Sequence, residues 1–293
     1  MRKLLKPLFV LMAGLLLVLT GCAQNGNASS ANSKITYVTS TDFYAEPAAA
    51  VLGSHGKAEP IIHSTSVDPH DFQPTTADGK TVAAANVVLV NGLGYDHWLN
   101  KLAANSKAKL LTVSTIVGAK NGDNEHLWYR PETMGKVTDA LVKEFSKLQP
   151  ANKKDFEANG AKYKKELAKL TPLIDAKKTS NHGEVAVTEP VFGNMLDALG
   201  YKVMDEAFAN ATEDGNDPST AVYAKVEKAI KDKSIKFFVV NTQTTSKVIT
   251  QLTDLAKKND VPIVRVTETK PKGVDYVQWM AKQLNEIPAS ANK

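Results

Sequence analysis

The sequence predicts an α/β fold with two (βα) lobes, each built on a mostly parallel sheet, joined by one long rigid linking helix. Short runs of β-branched residues alternate with segments of helical periodicity along the whole chain. This alternation is typical of βαβ units, whose strands are parallel. The chain has 293 residues, and even without a targeting segment this exceeds the length that one hydrophobic core comfortably organises. We therefore expect two lobes.

Residues 1–21 have the layout of a secretory signal peptide. Basic residues precede an apolar run from Leu8 to Leu19, which is too short to cross a bilayer comfortably. The run ends in Leu-Thr-Gly-Cys, which resembles a bacterial lipobox, so Cys22 is the predicted lipidation site. Cys22 is also the only cysteine; the alternative is a free surface thiol. Residues 22–33 are small and polar and indicate a flexible tether to the membrane.

The predicted N-terminal α/β lobe covers residues 34–148. We expect helices at DGKTVAAA and YDHWLNKLAA, and strands at 35–40, 59–65, 86–91 and 109–114. The predicted C-terminal α/β lobe covers residues 181–293. Its strands are expected at 183–189, 236–241 and 261–268, with four amphipathic helical segments between and after them.

Residues 149–180 are the predicted linking helix. Phe156, Tyr163, Leu167, Leu170 and Ile174 recur at helical spacing, with lysines on the other face. A glycine at position 160 and a proline at 172 weaken the helical pattern. The alternative is that this segment and the helix before it are ordinary helices of the first lobe.

The charge excludes one class of function. Of the formal +5, three units belong to the signal peptide, which leaves 33 basic and 31 acidic residues in the remaining chain. This near balance gives no electrostatic case for nucleic-acid binding. A glycine-rich phosphate loop is also absent, because the GLG at 92–94 lacks a third glycine and its acidic partner.

Four candidate metal ligands follow predicted strands. His70 lies in the Pro-bounded loop VDPHDFQPT, His126 lies in GDNEHLWYRPE, and Glu189 and Glu268 close two strands of the second lobe. Ligands of open α/β sheets bind beyond the carboxyl ends of the strands, so these side chains could converge on one cation. Two imidazoles and two carboxylates suit Mn²⁺, Fe²⁺ or Zn²⁺. We expect the affinity to fall with pH, because imidazolium cannot coordinate a metal.

Each candidate also has an ordinary structural interpretation. His70 could bond to backbone in a turn, His126 could be a packing histidine, and the two glutamates could be charges at strand ends or helix caps. The other histidines are expected to be structural or solvated; they are His55, His63, His97 and His182. The acidic residues near His70 and His126 are expected to be turn residues or supporting partners and not ligands. They are Asp68, Asp71, Asp123 and Glu125.

The sequence resembles a known family at several motifs. VDPHDFQPTTAD, NVVLVNGLGYDHWL, EHLWY, VTEPVFGNMLDALGY and the segment from NTQTTSK to VQWM are similar to the metal-binding lipoproteins of bacterial manganese/zinc ABC transporters, which include streptococcal adhesin lipoproteins. The similarity runs from about residue 35 to 287. It implies two lobes around one metal ion, with His70, His126, Glu189 and Glu268 as its ligands.

Two departures from the family bear on the metal. Several manganese-type members have aspartate where this chain has Glu268, and many zinc-type members have histidine where it has Glu189. Zinc-type members also carry a histidine-rich loop before the second histidine, whereas GAKNGDNE is short and has none. The sequence does not rank Zn²⁺ against Mn²⁺.

The resemblance implies a function and partners. We expect an extracytoplasmic, lipid-anchored monomer that captures Zn²⁺ or Mn²⁺ and delivers it to a membrane-embedded ABC permease, and that is not an enzyme. One alternative is an envelope-anchored zinc hydrolase, but the sequence has no HExxH motif. The other is an adhesin whose metal is only structural.

Overall fold

The computed structural model describes residues 33–65 and 67–292. Residues Lys34–Lys293 form one compact unit. The predicted signal peptide, Cys22 and nearly all of the predicted tether lie outside the described residues. In the described part of the chain, no helix has the length and apolar character needed to cross a bilayer.

Two four-stranded sheets, each all parallel, organise the chain, and this confirms the predicted fold class. The first sheet has the order β2-β1-β3-β4 and the second has the order β6-β5-β7-β8. The central strands are short and fully buried because helices cover both faces of each sheet. The strands are β1 (Ile35–Thr41), β2 (Gly56–Ile62), β3 (Val87–Val90), β4 (Lys109–Thr112), β5 (Glu184–Val187), β6 (Lys202–Val203), β7 (Phe238–Asn241) and β8 (Ile263–Val266).

Twelve α-helices lie in the described residues. Several begin at side-chain caps, such as the capping boxes at Thr75 and Asp275, where the side chain accepts a hydrogen bond from a free N–H of the first turn. The helices are α1 (Asp42–Leu52), α2 (Thr76–Ala83), α3 (His97–Ala104), α4 (Val113–Val117), α5 (Thr133–Leu148), α6 (Lys153–Leu167), α7 (Thr171–Lys177), α8 (Gly193–Leu199), α9 (Glu206–Glu213), α10 (Thr220–Lys231), α11 (Lys247–Lys258) and α12 (Tyr276–Glu286).

Several predicted boundaries were wrong. The strand predicted at 59–65 spans Gly56–Ile62, so His63 lies just outside it, and the strand predicted at 109–114 ends at Thr112. Pairing with β1 fixes the first register from Ile35 opposite Gly56 to Thr41 opposite Ile62. Sequence patterns do not contain this pairing information, which explains the shift. The short strand β6 was not predicted.

The predicted linking segment is helical but not uniform. After a 3₁₀ turn at Pro150–Asn152, α6 runs to Leu167, a second 3₁₀ turn spans Ala168–Leu170, and α7 follows. The change of helix type precedes Pro172, which has no N–H to donate to the preceding turn. Helix α6 contacts α1 and α5, whereas α7 contacts α8 and α12. That this segment acts as a rigid link between two lobes stays a prediction.

Candidate metal site

The loop between β2 and α2 presents His70. The Asp68 carboxylate accepts the His70 backbone N–H at 2.8 Å, and the Trp98 indole N–H donates to the Pro69 carbonyl at 3.1 Å. The imidazole stands edge-on to the Tyr95 ring, with ring centres 4.9 Å apart. Its Nε2 is buried and has no hydrogen-bond partner among the described residues. The prolines and these contacts thus fix the position of the imidazole, while its Nε2 has no partner in the described part of the chain.

His126 is held in one tautomer. It directly precedes the 3₁₀ turn Leu127–Tyr129, and the side-chain oxygen of Asn124 accepts both its backbone N–H and its Nδ1–H at 2.9 Å. The Asn124 amide donates to the Pro190 carbonyl at 2.8 Å, which fixes its orientation. Nε2 is therefore the nitrogen with a free lone pair. Burial lowers the pKa of His126 to about 3, so the ring is neutral.

Glu268 follows β8 and faces His70. The Tyr129 hydroxyl donates to the carbonyl of Thr267 at 2.6 Å and thereby positions the next residue. Glu268 Oε1 lies 3.8 Å from His70 Nε2 and is buried without a hydrogen-bond partner in the described structure. Burial, with a further contribution from the Asp68 charge, raises the pKa of Glu268 to about 8. The raised pKa favours the protonated carboxyl at neutral pH, and a bound cation would have to replace this proton.

Glu189 follows β5, as predicted, but makes a different contact. Its Oε2 accepts a 2.5 Å hydrogen bond from the side-chain amide of Asn241, the last residue of β7. The residue is only 6% exposed, and burial raises its pKa. Glu189 does not belong to either group of converging ligand atoms described below. Its role as a ligand stays a prediction.

Glu213 was not predicted from the sequence, yet it faces His126. It is the last residue of α9, and its Oε1 lies 3.5 Å from His126 Nε2 without a hydrogen-bond partner in the part of the chain described. The side chain is 20% exposed. Burial, together with the nearby Glu125 charge, raises the pKa of Glu213 to about 9.

Two groups of potential ligands share His70. One comprises His70, His126 and Glu213, the other Asp68, His70 and Glu268, and within each group the ligand atoms lie within 4.8 Å of one another. Four of these atoms are buried and unpaired: two imidazole nitrogens and two carboxylate oxygens. Leaving buried polar atoms unpaired costs about 1–3 kcal/mol each. Each group therefore offers a place for a cation, which would satisfy the unpaired atoms around it.

The remaining histidines lie outside these groups. His55, for example, contacts the carboxylate of Asp155 at 2.8 Å and belongs to neither group of potential ligands. The structure thus brings together three of the four predicted ligands and leaves the fourth against Asn241.

Comparisons with known proteins identify the family of the chain. The sequence profile of the family described as zinc-uptake complex component A, periplasmic, matches residues 38–290. The high-affinity zinc uptake system protein ZnuA of Bacillus subtilis is 24% identical, over 99% of this chain and 98% of its own length. The manganese-binding lipoprotein MntA of Halalkalibacterium halodurans is 22% identical, over 84% of each chain.

A solved structure shows the same fold. The periplasmic zinc-binding protein TroA from Treponema pallidum has a TM-score of 0.73 with 17% identity, covering 89% of this chain and 100% of its own. The profile match spans nearly all of the described residues, and the motifs that carried the resemblance lie within it. The chain therefore belongs to the family of periplasmic zinc-uptake components.

Proposed function

We propose that this chain captures a divalent transition metal ion, Zn²⁺ or Mn²⁺, and delivers it to an ABC permease for uptake. The observation that carries the proposal is that four buried, unpaired ligand atoms, contributed by both halves of the chain, lie in two groups that share His70. The names of the relatives support it, since one is a zinc uptake protein and another a manganese-binding lipoprotein.

The proposed ligands are those predicted from the sequence: His70, His126, Glu189 and Glu268. The distances support His70, His126 and Glu268 directly. Glu189 accepts a hydrogen bond from Asn241 through Oε2 and would bind the metal through a remaining lone pair of its carboxylate. Neutral imidazoles and carboxylates form a nitrogen and oxygen site that accepts Zn²⁺ and Mn²⁺, and by the Irving–Williams order zinc binds more tightly at equilibrium.

The location and partners belong to the same proposal. Lipidation of Cys22 would anchor the protein on the outer side of the cell membrane, where residues 22–33 would tether the folded part. The permease would receive the ion there, and the carrier would act as a monomer without nucleic acid.

The two alternatives make different demands on the site. A zinc hydrolase needs an open coordination position for water beside a base. An adhesin with a structural metal needs an ion that cannot be removed without unfolding. The names of the relatives favour the carrier, which must fold empty and release its cargo.

A competition titration tests the proposal. Zn²⁺ and Mn²⁺ are titrated into metal-free Lys34–Lys293, the compact unit, against a chromophoric chelator. We expect one site, weakened at least tenfold by His126→Gln and unaffected by His182→Gln, a control distant from the ligand groups. Glu268→Asp then tests whether a shorter carboxylate shifts the preference toward Mn²⁺. Absence of binding, or equal binding by the His126 variant, would contradict the proposal.

A further inference from the structure

We infer that Glu213, at the end of α9, is a ligand of the bound cation and completes the pair formed by His70 and His126. The inference rests on the proposed function and deepens it, because it assigns a ligand that neither the sequence motifs nor the family resemblance supplies.

The distances fit two ligands of one ion. In a tetrahedral site with metal–ligand bonds of about 2.0–2.1 Å, neighbouring ligand atoms lie roughly 3.3–3.4 Å apart. Glu213 Oε1 lies 3.5 Å from His126 Nε2, and the other unpaired carboxylate, Glu268 Oε1, lies 3.8 Å from His70 Nε2. Each imidazole of the site thus has one unpaired carboxylate oxygen at nearly the separation that coordination requires.

The contact between His126 and Glu213 is not an ordinary ion pair. Nδ1 of His126 carries the proton that Asn124 accepts, so the bare lone pair of Nε2 faces the Glu213 oxygen. Two lone-pair atoms attract each other only through a shared proton or a shared cation. A shared proton would bring the two atoms to about 2.7–3.2 Å, whereas they lie 3.5 Å apart without a hydrogen-bond partner in the described structure, so the separation fits a cation better.

Glu189 is less available for the same position. The side-chain oxygen of Asn241 accepts the Gln243 backbone N–H at 3.1 Å, and this contact turns the Asn241 amide nitrogen toward Glu189. One Glu189 oxygen is therefore already occupied in a buried hydrogen bond. Binding through Glu189 would use a carboxylate that already accepts a hydrogen bond through Oε2, whereas binding through Glu213 satisfies an unpaired atom.

The end of α9 is also well fixed. At the start of the helix, the Asp205 side chain accepts the Ala207 N–H at 3.1 Å, and the Phe208 side chain of the helix is fully buried. The Thr212 hydroxyl donates to the Phe208 carbonyl at 3.0 Å. Glu213 therefore stands on an anchored element, which is what a metal ligand requires.

The test compares single glutamine variants in the metal-free Lys34–Lys293 unit. Zn²⁺ affinity is measured against a chelator for Glu213→Gln, Glu189→Gln and Glu184→Gln. Glu184 is the matched control, because it is an exposed glutamate at the start of β5 that neither lines the cavity beside Glu213 nor belongs to a ligand group. The visible absorption of bound Co²⁺ reports the number and type of ligands, and thermal unfolding of each metal-free variant checks its folding.

We expect Glu213→Gln to weaken Zn²⁺ binding at least tenfold and to change the Co²⁺ spectrum, while Glu184→Gln leaves both the affinity and the spectrum unchanged. Wild-type affinity and spectrum in a folded Glu213→Gln protein would overturn the inference and leave the proposed function intact. If the unmodified protein binds neither Zn²⁺ nor Co²⁺, the proposed function fails and the inference with it.

Discussion

Asn124 controls which nitrogen of His126 can bind a metal. Its side-chain oxygen accepts the Nδ1–H, while its amide nitrogen is held by the Pro190 carbonyl. Outer partners of this kind orient an imidazole and commonly contribute about 10–100-fold to metal affinity. The residue thus acts on the ion through His126.

Removing this acceptor should weaken binding without removing a ligand. For Asn124→Ala we expect Zn²⁺ affinity to fall by about 10–100-fold, with a mixture of His126 tautomers detected by ¹⁵N NMR of the imidazole. Asn124→Asp retains an acceptor and should retain the tautomer. A purely structural role would instead lower stability in both variants and leave the tautomer of folded Asn124→Ala unchanged.

Proton competition at the site should come mainly from carboxyls. In the metal-free protein the pKa of Glu213 is about 9 and that of Glu268 about 8, against an ordinary value of 4.5. As pH rises above 4.5, the unfolded chain releases protons that the folded protein keeps, so stability falls until these pKa values are passed. His126 has the opposite effect on stability. Its pKa is 6.5 in the unfolded chain and about 3 in the folded protein, so between these values only the unfolded chain is protonated and stability rises with pH.

We therefore expect the melting temperature of the metal-free protein to fall between pH 6 and pH 9. Each buried carboxyl contributes at most about 1.4 kcal/mol per pH unit. In the double variant Glu213→Gln/Glu268→Gln most of this slope should disappear, and saturating Zn²⁺ should reverse it in the unmodified protein. Thermal unfolding at constant ionic strength is measured for the metal-free protein, the double variant and the Zn²⁺-saturated protein. Equal slopes in the metal-free protein and the double variant would show that these two carboxyls do not cause the pH dependence.

At this scale the sequence indicated His70 and Glu268 as candidate ligands and did not indicate Glu213, for a physical reason. His70 and Glu268 were recognisable because prolines or a strand end fix their place locally. Glu213 lies in TEDGND, an acidic stretch typical of a solvated helix end. Only the packing of α9 against the second half brings it to His126, and that long-range contact leaves no local pattern.

Among the elements, the places of the longer strands along the chain were predicted better than their ends. Asparagines end or directly follow β3 and β7, and both organise the site: the Asn91 amide donates to the Glu125 carbonyl at 2.9 Å, and the Asn241 amide holds Glu189. The candidate ligands were selected because they follow predicted strands. Parallel strands share one carboxyl edge, so this selection needed no knowledge of the order of strands in the sheet. Strand lengths and the short β6 depend on pairing, which explains those errors.

Gly160 shows why a glycine can sit inside a helix. It lies in α6, where a Cβ atom would come within 2.5 Å of Val142 on α5, so its absence permits the close approach of the two helices. The sequence alone indicated only a weakened helix, because intrinsic propensity favours other residues here.

Gly160→Ala should therefore destabilise the protein by about 1–3 kcal/mol through overpacking. Gly135→Ala in α5 is the matched control, because a Cβ there meets no atom within 4 Å. The control should be neutral or stabilising by up to about 1 kcal/mol. Urea unfolding of both variants measures the difference; equal effects would show that helix propensity, and not packing, governs Gly160.

For the whole molecule, the net charge conceals an uneven distribution. A cavity of about 670 Å³ leads to Glu213, and its lining includes one basic side chain, Arg130. Its acidic lining residues are Asp123, Glu125, Asp197, Glu206, Glu213 and Asp214. A cleft lined with one sign of charge raises the local concentration of the opposite ion and increases the association rate.

Neutralising the outer part of this cavity should slow metal association without affecting dissociation. Glu206 and Asp214 are exposed, so Glu206→Gln/Asp214→Asn removes charge without unpairing a buried group. At low salt we expect the Mn²⁺ association rate to fall by roughly two- to fivefold, and the difference to shrink as salt screens the charges. Glu227→Gln/Asp232→Asn on α10, which lines no part of the cavity, removes the same charge elsewhere and should leave the rate unchanged. Stopped-flow measurements at several ionic strengths give the association rates. Equal slowing by the two double variants would assign the effect to net charge. No slowing by Glu206→Gln/Asp214→Asn would mean that the ion reaches the site by another path.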